Sequence, residues 1–116
     1  MTRMRCDPKD GVPTDLVKKY YEQRSGAAFI LTEAISWSLR GHGFPGAGNL
    51  YTKEQAEGWK KVVGGVHEKG GKIFAQLCHC GRATNTKING GLEVWGPSAI
   101  TIKHKMISGD SYGSPK

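Results

Sequence analysis

The residues of this 116-residue chain best suited to chemistry are gathered in one stretch, Lys72–Arg82, KIFAQLCHCGR. Gln76, Cys78, His79, Cys80 and Arg82 close a run that opens with the apolar Ile73, Phe74 and Ala75. The side-chain amide of Gln76 offers one acceptor and two donors. That set matches the edge of a cyclic imide, such as a flavin's or a uracil's. The plainer reading is an amide satisfied by neighbouring backbone, and from the strand alone that reading is the favoured one. Cys78-x-Cys80, with His79 between and His67 and Cys6 elsewhere, has metal-binding residue types. A zinc site needs a second, distant pair, which the sequence lacks, so no metal is expected. Buried cysteines commonly act as small hydrophobes, and Cys78 becomes reactive only if it lies exposed beside Arg82 or His79. Glu33 follows another apolar run and is a candidate acid or base; an ion pair with an Arg or Lys is its plainer role. No Ser–His–Asp arrangement can be assembled.

These residues need elements to place them. Two glycines precede Ile73–Leu77, which is apolar but for Gln76 and reads as a strand buried on both faces of a parallel sheet. In α/β proteins ligand chemistry collects at the carboxyl ends of strands, where the polar residues stand. Ala27–Glu33, AAFILTE, reads as a second buried strand. Between Cys6 and Pro13, Asp7-Pro8 and Asp10-Gly11 are turn signals. Thr14 can cap a helix from about Asp15 to Arg24, with Leu16, Val17, Tyr20 and Tyr21 on its apolar stripe and Gly26 as its stop. Thr52 and Gln55 form a capping box for a longer helix whose stripe is Ala56, Trp59, Val62, Val63 and Val66, ended by Gly70-Gly71. Gly64-Gly65 inside it costs about 1 kcal/mol per glycine relative to Ala, which marks a weak or tightly packed point.

The loop Ile35–Tyr51 contains Gly41-His42-Gly43-Phe44-Pro45-Gly46, a literal G-x-G-x-x-G. The glycines are not at a strand-to-helix turn, where a dinucleotide fingerprint requires them, so a plain loop at a site mouth is expected. Residues 83–116 lose periodicity, and 103–116 read as a frayed tail.

The alternation of strand and helix predicts a parallel sheet with right-handed crossovers. Three strands cannot close an eight-stranded barrel, and an open sheet leaves unpaired edges. The sequence therefore reads as part of something larger. Net charge is +7, but the lysines are scattered, so a solvated surface is favoured over nucleic-acid binding. Three cysteines without framework spacing argue against a secreted disulfide scaffold. No apolar run reaches membrane-spanning length. A cytoplasmic setting, with neither nucleic acid nor membrane as partner, is the expectation.

Several stretches together resemble the old yellow enzyme family of NAD(P)H:flavin oxidoreductases, the FMN-dependent ene-reductases. They are TRMR at Thr2–Arg5, VPTDLVKKYYEQRSG, FILTEA at Phe29–Ala34, GHGFPGAGNLYTKEQAEGWKKVV, VHEKGGKIFAQLCHCGR and GGLEVWGPSAI. The resemblance implies the N-terminal part of a TIM (β/α)8 barrel, from the end of the first strand to the excursion after the third, with about three strands and two helices. It implies FMN over the carboxyl ends of the strands, touched by Thr2, by the backbone at Ala34 and by Gln76, with Cys78 beside the substrate where relatives often carry Trp. It further implies NAD(P)H as reductant and a small enone-type substrate, reduced by hydride from the flavin with a proton delivered separately. The family's substrate-gripping His–Asn or His–His pair, its proton-donating Tyr and its Arg and glycine loop for the FMN phosphate match no residue here, so no catalytic residue is assigned. A non-catalytic remnant serving as a structural or partner-binding piece is the alternative.

Overall fold

The computed structural model describes residues 5–106 and 111–116. Two helices and three strands follow in the order α1 (Asp15–Glu22), β1 (Ile30–Ser36), β2 (Gly48–Asn49), α2 (Lys53–Glu68) and β3 (Ile73–Cys78). The sheet is parallel with β1 in the middle, in the order β2-β1-β3.

Local chemistry sets the helix ends. Thr14 caps α1, its side chain accepting from the Val17 N–H. The helix stops at Glu22 rather than Arg24, because two side chains satisfy its last carbonyls. Arg24 Nη1 donates to the Tyr20 carbonyl (2.7 Å) and Ser25 Oγ to that of Glu22 (2.9 Å). In α2 the expected capping box is present, with Thr52 Oγ1 accepting from the Gln55 N–H and Gln55 Oε1 accepting from the Thr52 N–H. Gly70, at φ 74°, and Gly71 close the helix. The Gly70 N–H donates to His67 and the Gly71 N–H to Val66, a Schellman turn that needs a left-handed residue at its centre. Gly64-Gly65 does not interrupt α2. Gly65 is the close approach to α1: a Cβ there would collide with Glu22 Oε1, whereas one on Gly64 would meet nothing within 4 Å.

Both helices cover one face of the sheet. Val17 and Tyr21 of α1, Trp59, Val62 and Val66 of α2, and Ile30 and Ile35 of β1 form the core with Cys6, and Ile73 packs against it. Leu16 is not part of this stripe; it is 77% exposed.

The strands differ from expectation in three respects. The first expected strand begins at Ile30 and runs on to Ser36, carrying Ala34 and Ile35 into the sheet. A third pairing partner comes from inside the long loop, where Gly48 and Asn49 align with Ile35 and Ser36. β3 is not buried on both faces: Phe74 and Leu77 are each 57% exposed, and Gln76 is exposed. The reason is position, because β3 is the edge of the sheet, and an apolar run buries only what neighbours cover.

Gly41 and Gly43 of the G-x-G-x-x-G stretch serve packing. A Cβ on Gly41 would lie 2.5 Å from His79 Cδ2, and one on Gly43 2.5 Å from Cys80 Sγ. The loop closes against the segment after β3, with the Cys80 N–H donating to the Gly41 carbonyl at 3.0 Å. In the tail, the Gly113 N–H donates to Thr84 and the Lys116 N–H to Val94. Among the described residues no helix is long and apolar enough to cross a membrane.

Candidate flavin-edge site

Register places the site residues. Ala34 pairs with Gln76 and Ser36 with Cys78 across β1 and β3. Side chains alternate along a strand, so Phe74, Gln76 and Cys78 share the face opposite the core-facing Ile73. Two of the expected site residues, Ala34 and Gln76, therefore stand abreast at the carboxyl end of the sheet, on strands about 4.8 Å apart. Cys78 lies one pleat further on. Thr2 lies outside the described residues.

The amide of Gln76 is exposed, and its side chain makes no hydrogen bond among the described residues. Its backbone N–H donates to Thr32 Oγ1 at 2.9 Å. Thr32 lies within an irregularity of β1 between Leu31 and Ala34. The neighbouring Glu33, 2% exposed, accepts from Tyr21 Oη through Oε2 (3.0 Å) and donates its N–H to the same oxygen (2.8 Å). Its position between β1 and α1 suits a structural carboxyl, and the bonds to Tyr21 give it a partner that sequence reasoning did not select. Burial and the adjoining Glu33 push the Tyr21 hydroxyl pKa up.

The wall beyond the strand ends comes from the loop and the turn after β3. Trp37, directly after β1, tilts over His79 with ring centroids 5.4 Å apart. Ser36 Oγ donates to the Ser38 carbonyl (2.8 Å), and Ser38 Oγ accepts from the Gly41 N–H (3.1 Å). His42 is buried and shares a 2.8 Å hydrogen bond through Nδ1 with Asn49 Oδ1. An amide oxygen only accepts, so Nδ1 carries the proton. Burial lowers the pKa of this imidazole. The contact ties the loop to β2 and holds the wall.

The thiols are quiet. Burial raises the Cys78 pKa, against the lowering effect of its hydrogen bond with Cys80. Burial, then the Cys78 charge, raises Cys80 to about 11. The conditions for a reactive Cys78 are therefore not met: Arg82 is turned away, donating to the Ile100 carbonyl at 2.8 Å, and His79 Nδ1 accepts from the Gly81 N–H. Among the described residues no group of three or more His, Cys, Asp or Glu can hold a metal ion. Sequence reasoning missed Thr32 and Trp37. The first was signalled as the one polar residue before Glu33 in an apolar run, the second by following a strand end directly.

Ala34 and the exposed Gln76 thus stand side by side near the carboxyl ends of adjacent parallel strands, on the face away from the helices. Residues 1–114 match the family model described as "NADH:flavin oxidoreductase / NADH oxidase family", and the chain belongs to that family. It is 44% identical over 115 residues to the flavin oxidoreductase hxnT of Emericella nidulans, a match covering 96% of this chain and 30% of the relative. It is 36% identical over 110 residues to a probable flavin mononucleotide-dependent alkene reductase of Leishmania infantum, covering 94% of this chain and 30% of the relative. The structure superposes on an old yellow enzyme homologue from Zymomonas mobilis with a TM-score of 0.90 at 34% identity, covering all of this chain and 33% of the other. The chain thus spans about a third of the length of the relatives it matches, and its fold is the corresponding part of their TIM barrel. The cofactor of such a barrel, FMN, fits the residues present. The uncommitted donors and acceptor of Gln76 suit an imide edge, and the small side chain of Ala34 beside it leaves room for a ring.

Proposed function

We propose that this chain forms one edge of the FMN site of an NAD(P)H-dependent oxidoreductase of the ene-reductase type. The observation that carries the reading is the register of Ala34 with the unpaired, exposed amide of Gln76 at the strand ends. FMN, when bound, supplies the hydride that reduces an activated alkene. The residues of this chain bind and orient. Gln76 gives one hydrogen bond to the imide edge and receives another. The Ala34 backbone on β1 meets the same edge, and Thr2, outside the described residues, is the third residue assigned to the flavin. Cys78, one pleat beyond Gln76, borders the substrate, a small enone-type molecule, and a thiol there leaves more room than a large aromatic would. The described groups facing this site hold no tyrosine poised to deliver a proton; Tyr21 is buried on the opposite face with Glu33. Three free cysteines suit a reducing compartment, and the cytosol is the proposed setting.

The alternative, a non-catalytic partner-binding piece, draws on the exposed Phe74 and Leu77 of the edge strand. The test is to purify the chain, add FMN, and follow the flavin absorbance through anaerobic addition of NADH or NADPH and then 2-cyclohexenone. Bound FMN, bleached by the nicotinamide and restored by the enone, is expected of the working oxidoreductase. Bound FMN that neither nicotinamide bleaches limits the chain to the flavin edge. Absence of FMN binding removes the reading and leaves the alternative.

A further inference from the structure

We propose that Thr32 is the positioning residue that presents Gln76 to the flavin, an inference that rests on the flavin-edge reading above. Leu31 pairs with Phe74 and Ala34 with Gln76. Thr32 and Glu33 on β1 therefore stand against Ala75 alone on β3, and β1 carries one extra residue. Such a bulge re-aims the side chains that follow it. A continuous register would set Glu33, not Ala34, abreast of Gln76, because a one-residue slip exchanges the faces of a strand. A carboxyl group would then stand where a ring edge is to lie.

Thr32 spans this irregularity. Its hydroxyl accepts from the Gln76 N–H at 2.9 Å and donates to the Glu33 carbonyl at 2.7 Å. The side chain is 2% exposed. One hydroxyl thus links the backbone of the bulge to the backbone of the flavin-edge residue on the next strand. From the other side, Tyr21 Oη holds the Glu33 N–H at 2.8 Å. A hydroxyl that both donates and accepts is required; Val has the same shape and neither capacity.

The test uses the 116-residue chain with Thr32→Val, Thr32→Ser and, should Val not fold, Thr32→Cys, whose thiol is a weak partner. Two quantities are read: amide hydrogen exchange at Gln76 relative to Phe74 and Cys78, and FMN affinity. Thr32→Val is expected to speed exchange at Gln76 and weaken FMN binding, each about tenfold, the effect of about one lost hydrogen bond. Ser is expected to restore both to within about twofold. Unchanged exchange at Gln76 overturns the proposal, because the hydroxyl then does not hold that amide. Faster exchange with unchanged FMN affinity overturns it as well, leaving Thr32 a structural residue. If the unsubstituted chain takes up no FMN, the flavin-edge reading itself falls, whatever the exchange shows.

Discussion

Tyr21→Phe removes a single oxygen from the centre of the molecule. That oxygen donates to Glu33 Oε2 (3.0 Å) and accepts from the Glu33 N–H (2.8 Å). Tyr21 is wholly buried and Glu33 is 2% exposed. The ring remains, with its edge contacts to Tyr20 and Trp59, and apolar packing is therefore retained. What is lost is one partner for a buried carboxyl oxygen and one for a buried backbone N–H. A hydrogen bond to a carboxylate contributes about 1.5–3 kcal/mol and one from a backbone N–H about 0.5–1.5 kcal/mol, and the sum of about 3 kcal/mol is a large share of a small domain's stability. Urea unfolding followed by circular dichroism measures it. At a slope of about 1.5 kcal/mol per molar, ordinary for this size, the midpoint falls by about 2 M with the slope unchanged. A midpoint displaced by less than about 0.3 M would refute the reasoning, since the Tyr21–Glu33 pair would then not hold the bulge of β1.

Gly64→Ala is expected to stabilise by about 1 kcal/mol, because its Cβ meets open space and Ala is the better helix former; Gly58→Ala, whose Cβ would lie 2.9 Å from the Pro13 ring and from Val12 Cγ1, is expected to lower the same urea midpoint. His42 has a lowered pKa through burial, so its neutral form is favoured in the folded state; the stability it contributes is present above its ordinary value of 6.5 and is lost as pH falls below that, a dependence that His42→Gln should flatten in urea titrations between about pH 7 and pH 5. Burial raises all three thiols, Cys78 least, Cys80 to about 11 and Cys6 to about 12. Iodoacetamide labelling followed by mass spectrometry should therefore run slower at neutral pH than for a free thiol, quicken as pH rises, and mark Cys78 first. Cys78 labelling faster than a small-molecule thiol at pH 7 counts against that account.

The parts of the fold legible in the sequence are those fixed by neighbours in the chain. The Thr52–Gln55 box, the Thr14 cap and the Gly70-Gly71 stop depend on groups within a few residues, and each forms as read. The order of strands and helices follows from hydrophobic runs of suitable length. What the sequence does not reveal is set by partners far along the chain. Gly48–Asn49 is a strand because Ile35 and Ser36 lie beside it, and two residues in a glycine-rich loop carry no period of their own. The bulge at Thr32–Glu33 has no local signature, because Tyr21 and Gln76 hold it from opposite sides. β3 reads as buried because an apolar run does not record which of its neighbours are present, and as an edge strand it is exposed. Of the proposed site residues, Gln76 was singled out by its chemistry and Ala34 by resemblance; their alignment emerged only from the register.

The most direct test of the flavin-edge claim is a fluorescence titration of FMN into the chain and into its Gln76→Leu variant. Leu nearly preserves the volume, and Gln76 is exposed, so folding should be unaffected and the comparison isolates the amide. The unsubstituted chain is expected to bind FMN, and Leu to weaken binding by about 2 kcal/mol, roughly 30-fold, for two lost hydrogen bonds. Equal affinity of the two proteins for FMN, within error, would contradict the flavin-edge claim.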